Sequence, residues 1–150
     1  MIQRIQSLFL LGAAVCFGIA CFMPIGTFGS YVYTPWVLQL DGLNIRETYY
    51  VGLLQVILAV ISFVAVFFYR NRPLQSKICT AAILLSLAML LLMLWVYPDR
   101  IFPGIIRVEG FEITYSLWAF ISIVPVALLY LANRFIMKDE KKVRAADRLR

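Results

Sequence analysis

Residues 49–69 read YYVGLLQVILAVISFVAVFFY, residues 70–77 read RNRPLQSK, and residues 78–97 read ICTAAILLSLAMLLLMLWVY. The first and last of these segments carry no charge, whereas the middle one carries three cations and no acid. Since an α-helix rises about 1.5 Å per residue, each apolar segment of about 20 residues spans the roughly 30 Å hydrocarbon core of a bilayer. We therefore predict a helical hairpin through a membrane. The cations of its tight turn at 70–77 hold that turn on the cytoplasmic side.

The composition of the whole chain agrees with a membrane protein. Hydrophobic residues make up 63% and charged residues 15% of 150 residues, whereas soluble domains have roughly 45–50% and 25%. We predict an all-α membrane protein, a four-transmembrane-helix up-and-down bundle with a small extracytoplasmic β cap. It is a single integral membrane domain over 1–150, with spans at about 5–24, 49–69, 78–97 and 115–137, outer loops at 27–48 and 98–114, and a basic cytoplasmic tail at 138–150.

The first apolar run resembles a signal peptide because Arg4 precedes it, and Cys21 gives a hint of a lipoprotein cleavage site. The run is long enough to span, however, so we expect it to be retained as a helix that Pro24 ends. Small residues recur every four positions along it and would let another helix approach closely, either within this chain or in a homodimer. They are Gly12, Cys16 and Ala20 on one stripe, and Ala14 and Gly18 on another.

Both outer loops contain hairpin signals. Asp41-Gly42 separates two short runs rich in aromatic and β-branched residues, and Pro35 indicates an edge strand or a broken one. Glu109-Gly110 is a weaker signal of the same kind. Since a single hairpin is only marginally stable, we expect the loops to pair as one sheet, between about 37–45 and 106–113. In the fourth span, Pro125 predicts a kink.

Most of the cations lie on one side of the predicted topology. Three cations and five acids fall in the outer loops, and the remaining three acids fall on the inner side. The positive-inside rule therefore places both termini in the cytoplasm, and the three tryptophans form an aromatic belt near the outer boundary. The inner cations are Arg4, Arg70, Arg72, Lys77, Arg134 and the six of the tail.

The sequence gives no sign of an enzyme. It has no histidine, and its predicted spans carry no charged residue in their cores, which disfavours proton relays and ion coupling. We predict no catalytic residue, no metal site and no cofactor. Cys16, Cys21 and Cys79 all fall in apolar runs, where cysteine behaves as a small apolar side chain.

Two regions are candidates for binding. Gln55 is the most conspicuous polar residue within a span; it either hydrogen-bonds a neighbouring helix or lines a ligand cleft beneath the cap with Trp95 and Trp118. The tail is expected to continue as a helix, and it either contacts anionic lipids or a partner's acidic surface, or only fixes the topology. Acids interrupt its cations and it has no aromatic residue, which disfavours nucleic acid. The tail cations are Lys138, Lys141, Lys142, Arg144, Arg148 and Arg150.

Three segments carry a resemblance to a known family: MIQRIQ at 1–6, RNRPLQ at 70–75 and KDEKKVRAADRLR at 138–150. The chain resembles small four-span proteins of Bacteroidota catalogued as domain of unknown function 4293. This resemblance covers the whole chain and implies a bacterial inner-membrane protein, but it supplies no activity. The layout is also similar to that of claudin-like proteins, by analogy of shape only, because the outer loops lack the paired cysteines of that group.

Two functions remain open. The first is a non-catalytic accessory or scaffold subunit that binds another integral membrane protein. The second is binding or transfer of a lipid or small hydrophobic ligand in a cleft between the spans and the cap. We expect membrane lipids as partners in either case, and a homo-oligomer is left open.

Overall fold

A computed structural model describes residues 2–28, 30–40, 43–101 and 113–148. Four long helices pack side by side: α1 contacts α2 and α5, and α3 contacts the same two helices. The elements in chain order are α1 (Ile2–Ala20), β1 (Gly26–Phe28), β2 (Tyr31–Tyr33), β3 (Val37–Leu40), β4 (Leu43–Glu47), α2 (Tyr49–Phe67) with a 3-10 turn (Phe68–Arg70), α3 (Arg72–Leu91) with a π-helical extension (Leu92–Ile101), β5 (Ile113–Tyr115), α4 (Leu117–Ile121) and α5 (Val124–Arg148).

Three of the helical segments are long and apolar enough to cross a membrane: Tyr49–Arg70, Arg72–Val96 and Leu117–Val143. Their apolar faces bury a common core against α1, in which Phe17, Leu58 and Leu129 are fully buried. Transfer of an uncharged segment of this length out of water is favourable on every face of the helix, so hydropathy alone predicts these spans. The predicted second span, 49–69, agrees with the helical segment Tyr49–Arg70 to within about two residues.

The helix α1 ends earlier than the predicted residue 24, and its apolar part, Ile5–Ala20, is shorter than the other three. Cys21 still donates a helical bond to the Phe17 carbonyl, but Ile25 N–H is already bonded to the Tyr33 carbonyl of the sheet at 2.8 Å. The Trp36 indole Nε1 donates to the Cys21 carbonyl at 2.7 Å and satisfies the open end of α1. The sheet therefore ends this helix before Pro24 is reached.

The turn between α2 and α3 is also tighter than predicted, because α3 begins at Arg72 rather than at residue 78. Pro73 lies in the first turn of α3, where its missing N–H is not needed. This turn lies beside the last part of α5, since Arg72 Nη2 is 3.2 Å from Asp139 Oδ2. We call this end of the molecule the turn end and the opposite end, which carries the strands, the sheet end. As predicted, Trp36 and the 70–77 segment lie at opposite ends.

The five strands form one antiparallel sheet in the order β4-β3-β2-β1-β5. The two loops therefore pair, as expected, but β5 pairs with β1, with Gly26 opposite Tyr115, and not with the 37–45 segment. β3 already has a neighbour on each edge, β2 and β4. Of the two outer strands β4 and β1, β5 joins β1, next to which Ser116 N–H also donates to the Ile25 carbonyl at 3.0 Å. The predicted strand at 31–40 is broken at Thr34–Trp36, as Pro35 indicated. The Asp41-Gly42 turn and most of the 106–113 strand lie outside the described residues.

The fourth span is broken rather than bent. α4 ends at Ile121 and α5 begins at Val124, and the chain between them forms short turns, with Ser122 N–H donating to the Ala119 carbonyl at 3.2 Å. Pro125 follows immediately, so the break lies where a backbone donor is missing. Pro125 therefore disrupts the span, but through a break between two helices and not through the predicted kink within one helix.

Candidate functional site

Gln55 lies on the buried face of α2 with its side chain fully inaccessible to solvent. Neither its Nε2 nor its Oε1 has a hydrogen-bond partner among the residues that the structure describes. The expected hydrogen bond to a neighbouring helix is therefore not formed within that part of the chain. A buried amide without partners is costly, since it gives up its bonds to water.

The buried hydroxyls of the same core are already engaged with their own helices. Ser62 Oγ donates to the Leu58 carbonyl and Ser86 Oγ to the Ile83 carbonyl, each at 2.7 Å. This arrangement was expected for serine within a span. These hydroxyl protons are therefore not available to Gln55.

The two tryptophans proposed to share a cleft with Gln55 are exposed. Trp95 is 64% and Trp118 is 42% accessible, whereas Gln55 is 0% accessible. Beside them, at the sheet end, a cavity of about 260 Å³ is lined by Leu94, Tyr115, Ala119, Phe120 and Ile123. The Tyr115 hydroxyl donates to the Leu94 carbonyl at 2.8 Å and joins β5 to the π-helical segment. This cavity has an apolar wall and does not include Gln55.

A second cavity is an open apolar groove between α1 and α2 with a volume of about 420 Å³. Ala14 on α1 and Ala59 on α2 lie within it, so the groove exists because these two side chains are small. Its other lining residues are Leu11, Val15, Val60 and Phe63. We call this surface the α1–α2 groove.

The two small-residue stripes of α1 have different surroundings. A Cβ atom on Gly12 would lie 3.4 Å from Leu128 Cδ1, so the first stripe contacts α5 within the chain. A Cβ atom on Gly18 would meet nothing within 4 Å among the described residues. The second stripe, to which Ala14 belongs, is therefore the one that borders open space.

A third cavity, again of about 420 Å³, lies on the exposed side of α5 near the turn end. Its six lining residues all come from α5: Tyr130, Asn133, Arg134, Met137, Lys138 and Lys141. Positions separated by three, four or seven residues share one face of an α-helix, so three cations lie together along this side. We call this surface the basic groove.

Asn133 is fixed at the edge of the basic groove by α3. Ser76 Oγ donates to Asn133 Oδ1 at 2.7 Å, and Asn133 Nδ2 donates to Thr80 Oγ1 at 3.2 Å. Thr80 Oγ1 in turn donates to the Ser76 carbonyl at 3.0 Å. Both polar atoms of this amide are thus engaged between two helices, in contrast to those of Gln55.

A family model described as domain of unknown function 4293 matches residues 2–149. The chain belongs to this family. No curated protein and no solved structure matches it. The resemblance seen in the opening residues, the α2–α3 turn and the tail is therefore confirmed, and the function of this member of family 4293 has to be argued from its own geometry.

The predicted tail residues divide into three groups in this family 4293 protein. Lys138 and Lys141 line the basic groove, whereas Lys142, one turn beyond Lys138, is exposed and does not line it. The side chains of Arg144 and Arg148, and all of Arg150, lie outside the described residues. The sequence reasoning missed Tyr130 and Arg134 as members of the groove. Tyr130, Arg134 and Lys138 follow one another at intervals of four residues, and this spacing indicates one face of a helix.

The described residues do not bring potential metal ligands together. No group of three His, Cys, Asp or Glu side chains is found within the described ranges. Cys16, Cys21 and Cys79 are free thiols, and Cys21 and Cys79 are buried.

Proposed function

We propose that this protein is a non-catalytic accessory subunit of the bacterial inner membrane that binds a transmembrane helix of another membrane protein in the α1–α2 groove. In this proposal all four long helices span the bilayer, and both termini and the turn end face the cytoplasm. The positive charge of the turn end supports that orientation. The sheet end then lies on the extracytoplasmic side, with the tryptophans at the boundary.

The observation that carries the proposal is the groove itself. Ala14 and Ala59 leave an open apolar groove of about 420 Å³ between two helices, and none of the described residues that line it is charged. In lipid, where apolar surface alone does not drive association, helices associate through close packing on small residues. At Ala14 and Ala59 another helix can therefore approach the backbones of α1 and α2 closely, whereas the larger Val60 and Phe63 side chains would keep it further away.

The test uses photocrosslinking in membranes followed by purification. A photoreactive residue in place of Val60 should crosslink one protein partner in a fixed stoichiometry, and the same probe in place of Leu84, which is exposed on α3, should not. Ala59→Phe should abolish the crosslinked product because it fills the groove. Ala81→Phe, the same change at an exposed position of α3, should preserve it. Equal crosslinking by Ala59→Phe and Ala81→Phe would contradict the proposal.

Gln55 supports the second function, binding of a small ligand with a polar group inside the helices. Its amide is fully buried and unpartnered among the described residues, and a ligand or a water that bonds to it would remove that cost. Native mass spectrometry separates the two functions. A single small molecule retained by the wild type and lost in Gln55→Leu, without a protein partner, would favour the second.

A further inference from the structure

We propose that the basic groove of α5 is a binding site for the phosphate of an anionic phospholipid, with its acyl chain running along Tyr130 toward the middle of the span. This inference is independent of the α1–α2 groove, which lies between two other helices. It concerns a membrane lipid as a specific ligand rather than as the general solvent of the spans.

The three cations are free to bind an anion. Arg134, Lys138 and Lys141 are exposed, and their side chains make no ion pair or hydrogen bond with any residue that the structure describes. They follow one another along the groove at intervals of four and three residues, so their charged groups can converge on one phosphate. Guanidinium and ammonium groups in such a cluster are the usual ligands of lipid phosphates.

The neighbouring acids do not cancel this charge. Asp139 is paired with Arg72 of α3 at 3.2 Å, with both side chains largely buried (24% and 14% accessible for Arg72 and Asp139). Successive residues of an α-helix are rotated by about 100°, so Asp139 and Glu140 project well away from the line through Arg134 and Lys141. Neither acid lines the groove. The face that carries the cations is therefore positive in its own right.

The apolar part of the groove favours a lipid over a soluble anion. Tyr130 is 57% and Met137 is 46% accessible, and both lie beside the cations on the same face. Tyr130 precedes the cations by one turn in the direction of the apolar span, where an acyl chain would lie. The Tyr130 hydroxyl adds a polar group that can contact the glycerol or phosphate part of the lipid. Phosphate and hydrocarbon contacts thus follow one another along the helix, as they do along a phospholipid.

The experiment measures lipid retention by the purified full-length protein. After detergent delipidation, protein is titrated with phosphatidylglycerol or phosphatidylcholine, and bound lipid is counted by native mass spectrometry. We expect one tightly held phosphatidylglycerol and no comparable phosphatidylcholine. Arg134→Gln, Lys138→Gln and Lys141→Gln should each weaken binding about fivefold, the effect of one cation near an anionic headgroup.

Matched variants keep the result specific to the groove. Lys77→Gln removes the same charge from α3, where Lys77 is exposed and does not line the groove, and it should change binding less than about twofold. Arg134→Lys retains the charge and should retain most of the affinity, which separates loss of charge from loss of folding. An equal effect of Lys77→Gln and Lys138→Gln would overturn the proposal, as would equal retention of the two lipids. Displacement of the lipid by an equal concentration of inorganic phosphate would also overturn it, since it would show a simple phosphate site.

Discussion

The indole ring of Trp36 lies directly on the backbone of Gly52, so close that a Cβ atom on Gly52 would be 2.7 Å from Trp36 Cδ2 and 2.8 Å from Cε2. The same indole donates its Nε1 hydrogen to the Cys21 carbonyl at 2.7 Å. The Trp36 carbonyl also accepts the Thr48 N–H at 2.9 Å, just before α2 begins. One residue in the break between β2 and β3 thereby joins the end of α1 to the start of α2.

This relationship predicts that Gly52→Ala destabilises the protein. The added methyl group has no space until the Trp36 ring moves, and overpacking of this kind costs about 1–3 kcal/mol. We expect a lower midpoint of thermal unfolding in detergent and a changed tryptophan fluorescence spectrum. Gly18→Ala is the matched control, because a methyl group there meets nothing within 4 Å among the described residues. That control should leave stability unchanged or raise it by up to about 1 kcal/mol. If Gly18→Ala and Gly52→Ala lowered stability equally, the effect at Gly52 would not be due to its contact with Trp36, and the prediction would be wrong.

A second prediction compares two amides. Gln55→Leu should raise the stability of delipidated protein by about 1–3 kcal/mol, because it removes a buried amide with no partner in the described structure. Asn133→Leu should lower stability by about 1 kcal/mol, because it breaks two hydrogen bonds that join α5 to α3. Chemical unfolding in mixed micelles measures both. A destabilised Gln55→Leu protein would indicate that the Gln55 amide does have a bonding partner.

A third prediction concerns the Arg72–Asp139 pair at the turn end. A double-mutant cycle with Arg72→Gln and Asp139→Asn should give a coupling energy of about 0.5–1 kcal/mol, since the pair is largely withdrawn from solvent. Lys77 on α3 is exposed and has no ion pair among the described residues. A cycle of Lys77→Gln with Asp139→Asn should therefore give a coupling energy near zero. Equal coupling in the two cycles would mean that only the net charge of this end matters.

The sequence predicted the long spans well because their determinants are local. An uncharged segment of bilayer length forms a helix whatever its neighbours are, and Pro125 removes a backbone donor wherever it stands. For the same reason the sequence indicated a kink at Pro125, where the structure has a break, and an edge or broken strand at Pro35, where the strand is broken.

The sequence did not predict features that depend on contacts between distant segments. The end of α1 is fixed by Trp36, fifteen residues further on. β5 pairs with β1 at a close approach of the two backbones, since a Cβ atom on Gly26 would lie 2.9 Å from the Thr114 carbonyl oxygen. Neither fact is contained in hydropathy or in turn signals.

In the candidate sites, too, some features follow from the local sequence and others depend on contacts between distant segments. The positions of the cations on α5 follow from helical spacing, although the sequence prediction named Lys138 and Lys141 only together with the other tail cations and without Arg134. The pairing of Asp139 with Arg72, which leaves the basic groove positive, joins residues far apart in the chain. Likewise, the missing partner of Gln55 could be recognised only after the helices that surround it were in place.

The most direct measurement of the central claim is the accessibility of single cysteines on the two ends of the molecule. Cys16, Cys21 and Cys79 are replaced by Ala, and one cysteine is introduced at Ser30, exposed at the sheet end, or at Asn71, exposed at the turn end. In intact spheroplasts a membrane-impermeant maleimide should label Ser30→Cys at once, whereas Asn71→Cys should be labelled only after the membrane is opened. Labelling of both positions in intact spheroplasts would contradict the proposal that the bilayer separates the two ends.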